Sequence, residues 1–194
     1  MKWNEWNYYD KDLAHSWINW AESNPNGARK EVCSFVREWV DKVKPISLLD
    51  IGCGQGICSD LISTNISYIG IDPCAIFIKR ACKLFNSPNS NRTFKKGNAY
   101  KIPLTDQSVE ATISIWVWHY LTKTELAAQE MRRILKPGGK FLIIANDPET
   151  DYMEKSITES GLIIDRVKKL GEIDSGNGGL YRVIEGRNCA DVSY

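Results

Sequence analysis

The chain has 194 residues and a mass of 22.0 kDa, which favours a single domain large enough to bury a substantial core. Its formal net charge of +1 gives no electrostatic argument for a polyanionic partner, so nucleic acid is not the favoured ligand. The N-terminus lacks the apolar region of a signal peptide, and no apolar run approaches the roughly 18 residues that span a bilayer, so we expect a cytoplasmic protein without a membrane partner.

An aromatic N-terminal arm, residues 1–26, precedes the main domain, which we place at residues 27–194. Four tryptophans fall within its first twenty residues, and Trp17 and Trp20 are spaced to share one face of a helix. A stretch rich in turn-forming residues, 22–30, separates the arm from the domain. Two interpretations remain open: the rings pack onto the domain, or they form a lid over a ligand, with Trp17 in contact with the substrate.

Strands and helices alternate along the rest of the chain. Apolar residues at helical spacing predict helices over residues 28–43, from the glycine-rich loop to Ile62, and over residues 74–85, 123–135 and 148–161. Predicted strands cover residues 46–51, 67–71, 93–97, 109–117, 140–145, 162–170 and 180–186. The last two strands have no helix between them. The sequence therefore predicts an α/β, Rossmann-like, doubly wound sheet of seven strands, mainly parallel, with an antiparallel C-terminal hairpin.

The stretch LLDIGCGQG (48–56) lies between a predicted strand and the next helix. It contains three glycines at alternate positions, Gly52, Gly54 and Gly56, which allow a sharp turn and bring backbone N–H groups close to a ligand. The dinucleotide pattern G-x-G-x-x-G would need a glycine where Ile57 stands, and Asp50 would repel a pyrophosphate. Asp50 instead favours a ligand whose amino-acid tail carries an ammonium group.

Polar groups also follow the next two predicted strands. Asp72 and Pro73 end the second strand, where a carboxylate of a doubly wound sheet points into the ligand crevice and accepts hydrogen bonds from ribose hydroxyls. Asn98 and Ala99 follow the third strand, and their amide side chain and backbone N–H group suit the edge of an adenine. Together these positions suit a nucleoside joined to a cationic tail.

Four stretches together resemble the class I S-adenosylmethionine-dependent methyltransferases: LLDIGCGQG, GIDP, GNAYKIPLTDQSVEATISIWVWHYL and RRILKPGGKFLI. The resemblance begins near Ser47 and covers most of the chain. It implies S-adenosylmethionine as cofactor and S-adenosylhomocysteine as product. It also implies that the loop 52–56, with Cys53, holds the methionine part, that Asp72 and Pro73 lie at the ribose, and that Asn98–Ala99 lie at the adenine. The family more often has aspartate at the adenine position, and Asn98 would use its carbonyl oxygen there.

The order of strands places the ligand crevice between the first and fourth strands. Five residues of the fourth strand and the stretch after it are therefore candidates to lie nearest the transferred methyl group: Ile115, Trp116, Trp118, His119 and Tyr120. We expect Ile115 and Trp116 to wall the cofactor pocket, and Trp118 and Tyr120 to contact the acceptor. His119 is the candidate general base or substrate contact; a hydrogen-bonded structural histidine is the alternative.

The sequence predicts methyl transfer to oxygen or nitrogen of a small-molecule acceptor. Aromatic residues of the arm favour an apolar, aromatic or cationic acceptor, and the loop EIDSGNGG (172–179) is expected to help enclose it. An RNA-modifying enzyme is an alternative, although the net charge and the absence of a basic arm argue against it. A partner-dependent enzyme, a homodimer and a non-catalytic cofactor-binding module also remain open. The six cysteines show no paired C-x-x-C spacing, so no metal site is expected.

Overall fold

The computed structural model describes residues 11–23, 28–88, 90–146, 151–170 and 181–189. Two helices, α1 (Lys11–Ser23) and α2 (Ala28–Val43), precede the sheet. The other elements follow in chain order: β1 (Ser47–Ile51), a 3₁₀ helix (Ile57–Leu61), β2 (Ser67–Asp72), α3 (Ala75–Phe85), β3 (Arg92–Lys96), β4 (Val109–Ile115), a 3₁₀ turn (Trp118–Tyr120), α4 (Thr124–Ile134), β5 (Leu135–Asn146), α5 (Tyr152–Glu159), β6 (Ile163–Leu170) and β7 (Tyr181–Arg187).

The seven strands form one sheet in the order β3-β2-β1-β4-β5-β7-β6. Every pairing from β3 to β5 is parallel, whereas β7 runs antiparallel to both β5 and β6. The predicted α/β fold, with its antiparallel pair of C-terminal strands, is confirmed. Because the strand order reverses at β1, the carboxyl ends of β1 and β4 border the crevice in which this fold binds ligands.

Each face of the sheet buries its own apolar cluster. On one face, Val36 and Trp39 of α2 share a cluster with Leu48, Tyr68 and Phe94 of the strands. On the other face, Met131 and Ile134 of α4 and Ile157 of α5 are buried in a second cluster with Phe141 and Ile143 of β5. Successive strand residues point to opposite faces, so this arrangement explains why central strands such as β1 and the later part of β5 are largely apolar.

Two predicted local structures differ from the observed ones. The helix expected to reach Ile62 is a 3₁₀ helix of five residues, and the buried Arg92 guanidinium donates hydrogen bonds to the carbonyl oxygens of Ser59 within it and of Ile62 and Ile66 after it. The second difference is the stretch KPGG (136–139), which lies between the helix predicted over 123–135 and the strand predicted over 140–145.

That stretch lies at the start of β5. Helix α4 ends at Ile134, and Leu135 already pairs with Val109 of β4. The register between β4 and β5 shifts before the next pair, Ala111 with Lys140, so the extra residues are accommodated as a bulge. Gly138, with a φ of +73°, provides the left-handed backbone conformation inside it.

In the part of the chain that the structure describes, none of the helices combines the length and apolar character needed to cross a membrane.

Candidate active site

A cavity of about 490 Å³ opens where the carboxyl ends of β1, β2 and β4 meet. Residues of α1 and α2 line it from the other side, so it lies between the sheet and the two N-terminal helices. Twelve of the residues expected at the site line this cavity: Trp17, Asp50, Gly52, Cys53, Gly54, Asp72, Pro73, Asn98, Ala99, Ile115, Trp116 and Tyr120. Three expected residues do not line it: Gly56, Trp118 and His119.

The three glycines of the loop have different surroundings. Gly52 has a φ of +78°, and a Cβ atom there would lie 2.2 Å from Cγ2 of Val117, so this glycine allows two loops to approach closely. Gly54 has a φ of +53°, and no atom lies within 4 Å of an added Cβ. Its open side faces the cavity, where a ligand can approach the backbone. A Cβ at Gly56 would contact Phe94 and Ala81, so Gly56 is required for packing and not for ligand contact.

Asp50, near the end of β1, is a buried carboxylate that accepts a hydrogen bond from one phenol. Its side chain is only 2% exposed, and its Oδ2 atom accepts a hydrogen bond of 2.6 Å from the hydroxyl of Tyr68. Burial raises the pKa of Asp50 to about 7, and the hydrogen bond from Tyr68 opposes that rise. The carboxylate is thus available to a cationic group that enters the cavity.

Asp72 is held by the backbone at the end of β2. Its Oδ2 atom accepts a hydrogen bond from the N–H of Gly54 at 3.0 Å, and its Oδ1 atom accepts one from the N–H of Cys74 at 2.8 Å. Burial raises its pKa to about 6, against the lowering effect of these two bonds. Each oxygen retains lone pairs, so the geometry is compatible with further hydrogen bonds from a ribose.

The Asn98 side chain is engaged in its own turn. Its carbonyl oxygen Oδ1 accepts hydrogen bonds from the backbone N–H groups of Tyr100 and Lys101, both at 2.9 Å. The oxygen expected to meet an exocyclic amine is therefore already occupied. Ala99 is 8% exposed and lines the cavity beside Tyr100, whose hydroxyl accepts a hydrogen bond of 3.0 Å from the N–H of Thr122.

Trp116 has an unusual backbone directly after β4. Its φ is +57°, a left-handed conformation that tryptophan rarely adopts, and its N–H donates to the carbonyl of Ile144 at 2.6 Å. Its ring packs against Tyr181 of β7, with the ring centroids 5.8 Å apart. Strained backbone of this kind concentrates at functional sites, and here it turns the chain so that both Trp116 and Val117 line the cavity.

Trp118 and His119 lie behind the cavity wall. Trp118 is 1% exposed and belongs to the apolar cluster that contains Ala127 and Met131 of α4, so its placement does not support the expected contact with an acceptor. The His119 ring stacks on Tyr120, with centroids 3.9 Å apart, and among the described residues neither ring nitrogen has a hydrogen-bond partner. Burial lowers its pKa to about 4, which makes it a weak base at neutral pH.

The described part of the N-terminal arm is helix α1. Ala14 and Ile18 pack in a small cluster with Cys74 and Phe77 at the start of α3, while Trp17 lines the cavity. Within this helix, packing onto the domain and covering a ligand are therefore compatible, because different residues do each. The side chain of Trp20, residues 1–10 and the loop 172–179 lie outside the described residues.

Several cavity residues were not predicted from the sequence: Val32, Cys33, Gln55, Ile57, Cys58, Phe77, Gly97, Tyr100, Val117, Leu121 and Lys123. Most of them are ordinary helix or loop positions in the sequence, and the packing of α2 and α3 brings Val32, Cys33 and Phe77 to the ligand crevice. The sequence does contain a signal that Gln55 lies at the cavity, because this residue stands between two glycines of the loop. Its Oε1 atom accepts a hydrogen bond of 2.7 Å from Arg80 Nε.

The residues present fit S-adenosylmethionine. The open side of Gly54 provides room against the backbone, two buried carboxylates offer acceptors for ammonium and hydroxyl groups, and Ala99 and Trp116 offer apolar surface. Within the described residues, no group of three or more histidine, cysteine or acidic side chains is placed to hold a metal ion.

Comparison with known proteins gives consistent matches. The Methyltransf_11 family, described as a methyltransferase domain, matches residues 49–143. A Bos taurus protein named "Probable tRNA methyltransferase 9B" is 32% identical over 130 residues, which are 62% of this chain and 26% of that protein. The chain thus spans about a quarter of the length of the mammalian relatives it matches.

Solved structures share the fold. A candidate sarcosine dimethylglycine methyltransferase from Galdieria sulphuraria superposes with a TM-score of 0.72 at 16% identity, over 84% of this chain and 87% of that chain. A SAM-dependent methyltransferase from Methanosarcina mazei superposes with a TM-score of 0.59 at 26% identity, over 75% of this chain and 93% of that one. The region matched by the Methyltransf_11 family, residues 49–143, contains the glycine loop, Asp72 and the strands that border the cavity.

Proposed function

We propose that the chain is a class I S-adenosylmethionine-dependent methyltransferase that transfers the methyl group to oxygen or nitrogen of a small apolar, aromatic or cationic acceptor. The observation that carries this proposal is the enclosure of the cavity by aromatic side chains from three directions. Trp17 comes from α1, Phe77 from α3, and Trp116 and Tyr120 from the segment after β4. Aromatic faces bind apolar and cationic groups in preference to strongly hydrated polar ones.

We propose the following placement of the cofactor. Asp50 binds the ammonium group, and the loop from Gly52 to Gly54, with Cys53, lies along the methionine part. Asp72 and Pro73 lie at the ribose. Ala99 and the turn of Asn98 lie at the adenine, with Ile115 and Trp116 as the wall. This placement is supported by the lining of the cavity and by the open side of Gly54.

When bound, S-adenosylmethionine supplies a methyl group that is activated by the positive charge on its sulfur. The task of the protein is to align the acceptor atom with that methyl group and to exclude water. Residues 1–26 would act as a lid, of which α1 is the described part: Ile18 anchors it on α3, and Trp17 covers the cavity.

His119 is not the group we propose as general base. Its lowered pKa and its position behind the cavity lining favour acceptors whose reacting atom needs no strong base, such as a neutral amine. The side chain of His119 would support Tyr120, which lies against the acceptor side of the cavity.

A second candidate is methyl transfer to tRNA. It is favoured by the name of the bovine relative, which aligns with 62% of this chain. Enzymes that modify a base take the base out of its stack and into a pocket, so an enclosed cavity is compatible with this reading as well. Assembly with a partner subunit, which would supply RNA contacts, belongs to the same alternative. The net charge of +1 argues against unaided RNA binding.

A labelling experiment separates the two candidates. The purified protein is incubated with S-adenosylmethionine that is radiolabelled in the methyl group, and with either a panel of small amines, phenols and carboxylic acids or total tRNA. We expect label in one class of small molecule and none in tRNA. Label in tRNA alone, with or without a co-purified subunit, would overturn the small-molecule proposal. The Gly54→Ala variant, which should bind the cofactor about tenfold more weakly or worse, is the control, and it should transfer less label at a limiting cofactor concentration.

A further inference from the structure

We propose that Tyr68 is a positioning residue that keeps the Asp50 carboxylate ionised and directed into the cavity, with Arg92 polarising the Tyr68 phenol from behind. The inference rests on the cofactor placement given above, in which Asp50 binds the ammonium group. It does not depend on the identity of the acceptor.

Strand register brings the two side chains together. Asp50 of β1 lies opposite Gly70 of β2, and Tyr68 is two residues before Gly70 on the same face of the sheet. The two side chains share that face, and the Tyr68 hydroxyl reaches Asp50 Oδ2 at 2.6 Å. Both residues are almost completely buried, Tyr68 at 0% and Asp50 at 2% exposure, so water does not compete for this bond.

Arg92 of β3 lies directly opposite Tyr68 and completes the arrangement. Its guanidinium carbon is 5.5 Å from the centroid of the Tyr68 ring. Its nitrogens donate to the backbone carbonyls of Ser59, Ile62 and Ile66, which hold the cation in place, and the carboxylate of Asp60 also interacts with its charge. A fixed cation beside a phenol makes the hydroxyl a stronger hydrogen-bond donor.

The other charged and titratable groups around Asp50 do not replace the hydrogen bond that Tyr68 donates to it. Asp72 adds a second negative charge, and the thiol of Cys53 lies in the adjoining loop. Cys58 of the 3₁₀ helix faces Tyr68 from the α2 side, and Lys123 is an exposed cation at the cavity lining. Among the described residues, Tyr68 is the only side chain that donates a hydrogen bond to Asp50.

The physical need for such a donor follows from burial. A carboxylate removed from water tends to keep its proton, and a protonated Asp50 would lose its attraction for an ammonium group. The pKa of Asp50 is about 7 even with the Tyr68 bond in place. Loss of the bond raises that pKa further, so the proton remains on Asp50 at neutral pH.

The test compares the affinity of wild type and Tyr68→Phe for S-adenosylhomocysteine by calorimetry between pH 6 and pH 9. We expect the variant to bind about 10- to 100-fold more weakly at pH 7, the effect of one hydrogen bond to a charged group. The ratio of the two affinities should approach one as the pH rises and Asp50 ionises in both proteins. Because both proteins bind the same ligand, titration of the ligand's amino group changes both affinities equally and does not affect their ratio.

The Asp50→Asn variant provides a control background in which the effect of Tyr68→Phe is measured again. It should bind weakly at every pH, and Tyr68→Phe added to it should cause no further loss. Tyr152→Phe, which removes a phenol from α5 outside the cavity, should bind like wild type. A pH-independent ratio for Tyr68→Phe, or an equal loss in the Asp50→Asn background, would reduce Tyr68 to a packing residue and overturn the proposal.

A second replacement covers the case in which Tyr68→Phe folds poorly. Site-specific replacement of Tyr68 by 3-fluorotyrosine keeps the packing and strengthens the donor. The pH at which affinity titrates should then move downward, and an unchanged titration would also overturn the proposal. If wild type itself bound no S-adenosylhomocysteine, the cofactor placement would fail together with this inference, whereas failure of the acceptor screen alone would leave it standing.

Discussion

Gly54 and Gly138 have similar backbones in different surroundings, which allows a matched test of the cavity. Their φ angles are +53° and +73°, and an added Cβ meets no atom within 4 Å at either position. Alanine at either site costs about 1–2 kcal/mol of backbone strain, so both variants should lose a similar amount of thermal stability. Only Gly54 faces the cavity. Gly54→Ala should therefore weaken binding of S-adenosylhomocysteine by about tenfold or more, or about 1.4 kcal/mol.

Calorimetry on both glycine variants provides the measurement, with thermal unfolding to confirm equal strain. Gly52→Ala is expected to unfold at lower temperature than either, because its Cβ would collide with Val117. Equal affinities in Gly54→Ala and Gly138→Ala would show that the ligand does not approach Gly54.

Ionisation of the buried Asp50 carboxylate lowers the free energy of unfolding of the ligand-free protein at neutral pH. Its native pKa of about 7 lies above the ordinary value of 3.8, so the native state holds a proton that the unfolded state has released. Stability therefore falls as the pH rises from about 4 to about 7. Asp50→Asn removes this cost, and we expect its melting temperature at pH 8 to exceed that of wild type by about 3 °C or more, while the two should agree near pH 4.

Differential scanning fluorimetry across that pH range, without ligand, measures the effect. A variant that is less stable than wild type at pH 8 would show that the ionised carboxylate is better solvated than its burial indicates.

His119 shows the opposite pH dependence. Burial lowers its native pKa to about 4, below the ordinary 6.5, so the unfolded state takes up a proton that the native state refuses. Its contribution to stability is lost as the pH falls from about 6.5 to about 4. We expect His119→Ala to keep kcat within about threefold of wild type, because the ring is not a strong base. Turnover and the pH dependence of unfolding are the two measurements, and a thousandfold loss of kcat without loss of folding would restore His119 as the base.

Individual residues differ in how far the sequence could place them. Asp50 and Asp72 follow apolar strands, and that position alone predicted their place at the cavity. Tyr68 occupies an ordinary strand position, and nothing in the sequence around it indicates that its hydroxyl reaches a carboxylate on the neighbouring strand. Trp118 and Trp116 are two residues apart. The sequence predicts Trp116 at the wall of the cofactor pocket and Trp118 at the acceptor, but the turn after β4 buries Trp118 in the core and leaves only Trp116 at the cavity.

Helix α1 is attached to the domain by a small contact, which makes it a sensitive element to perturb. Ile18, 6% exposed, packs against Cys74 and Phe77 of α3. Ile18→Asp places a charge in that contact and should detach the helix, raising KM for the acceptor by about tenfold with little change in the unfolding of the sheet. Asn19→Asp, at an exposed neighbouring position, adds the same charge and should have no effect.

Steady-state kinetics and limited proteolysis of α1 measure this prediction. Unchanged KM in Ile18→Asp, together with accelerated cleavage of the helix, would show that α1 is not part of the acceptor site.

Elements were predictable where local periodicity and tertiary packing agree. Strands β1, β2, β4 and β5 contribute buried residues to both faces of the sheet, so apolar runs predict them, whereas β3 buries only Arg92 and Phe94. The stretch KPGG has the composition of a helix end, yet it forms a bulge in β5 because Leu135 already pairs with β4. Similarly, the segment after Gly56 forms a short 3₁₀ helix, and Arg92, distant in sequence, donates hydrogen bonds to the carbonyl oxygens of Ser59 and Ile62 there.

The whole molecule should respond to its cofactor as one cooperative unit. The cavity joins residues from the sheet, α1, α2 and α3, so ligand binding stabilises all of them together. At 100 times its Kd, S-adenosylhomocysteine should stabilise the native state by about 2.7 kcal/mol, which corresponds to a rise of about 5–10 °C in melting temperature. Thermal unfolding with increasing ligand measures the shift; a melting temperature independent of ligand, with wild type folded, would contradict the cofactor site.

The position of β7 has a consequence for how the protein is made. Although β7 is translated after β6, it lies between β5 and β6 in the sheet. On the ribosome, β6 therefore has no neighbour to join until β7 emerges, and the growing polypeptide presents the unpaired edge of β5, including Ile143 and Ile144. Tyr181 arrives with the same strand and packs against Trp116. Capture of the cofactor is thus a late event in biogenesis, and a nascent chain stalled before residue 181 would present its open edge to chaperones.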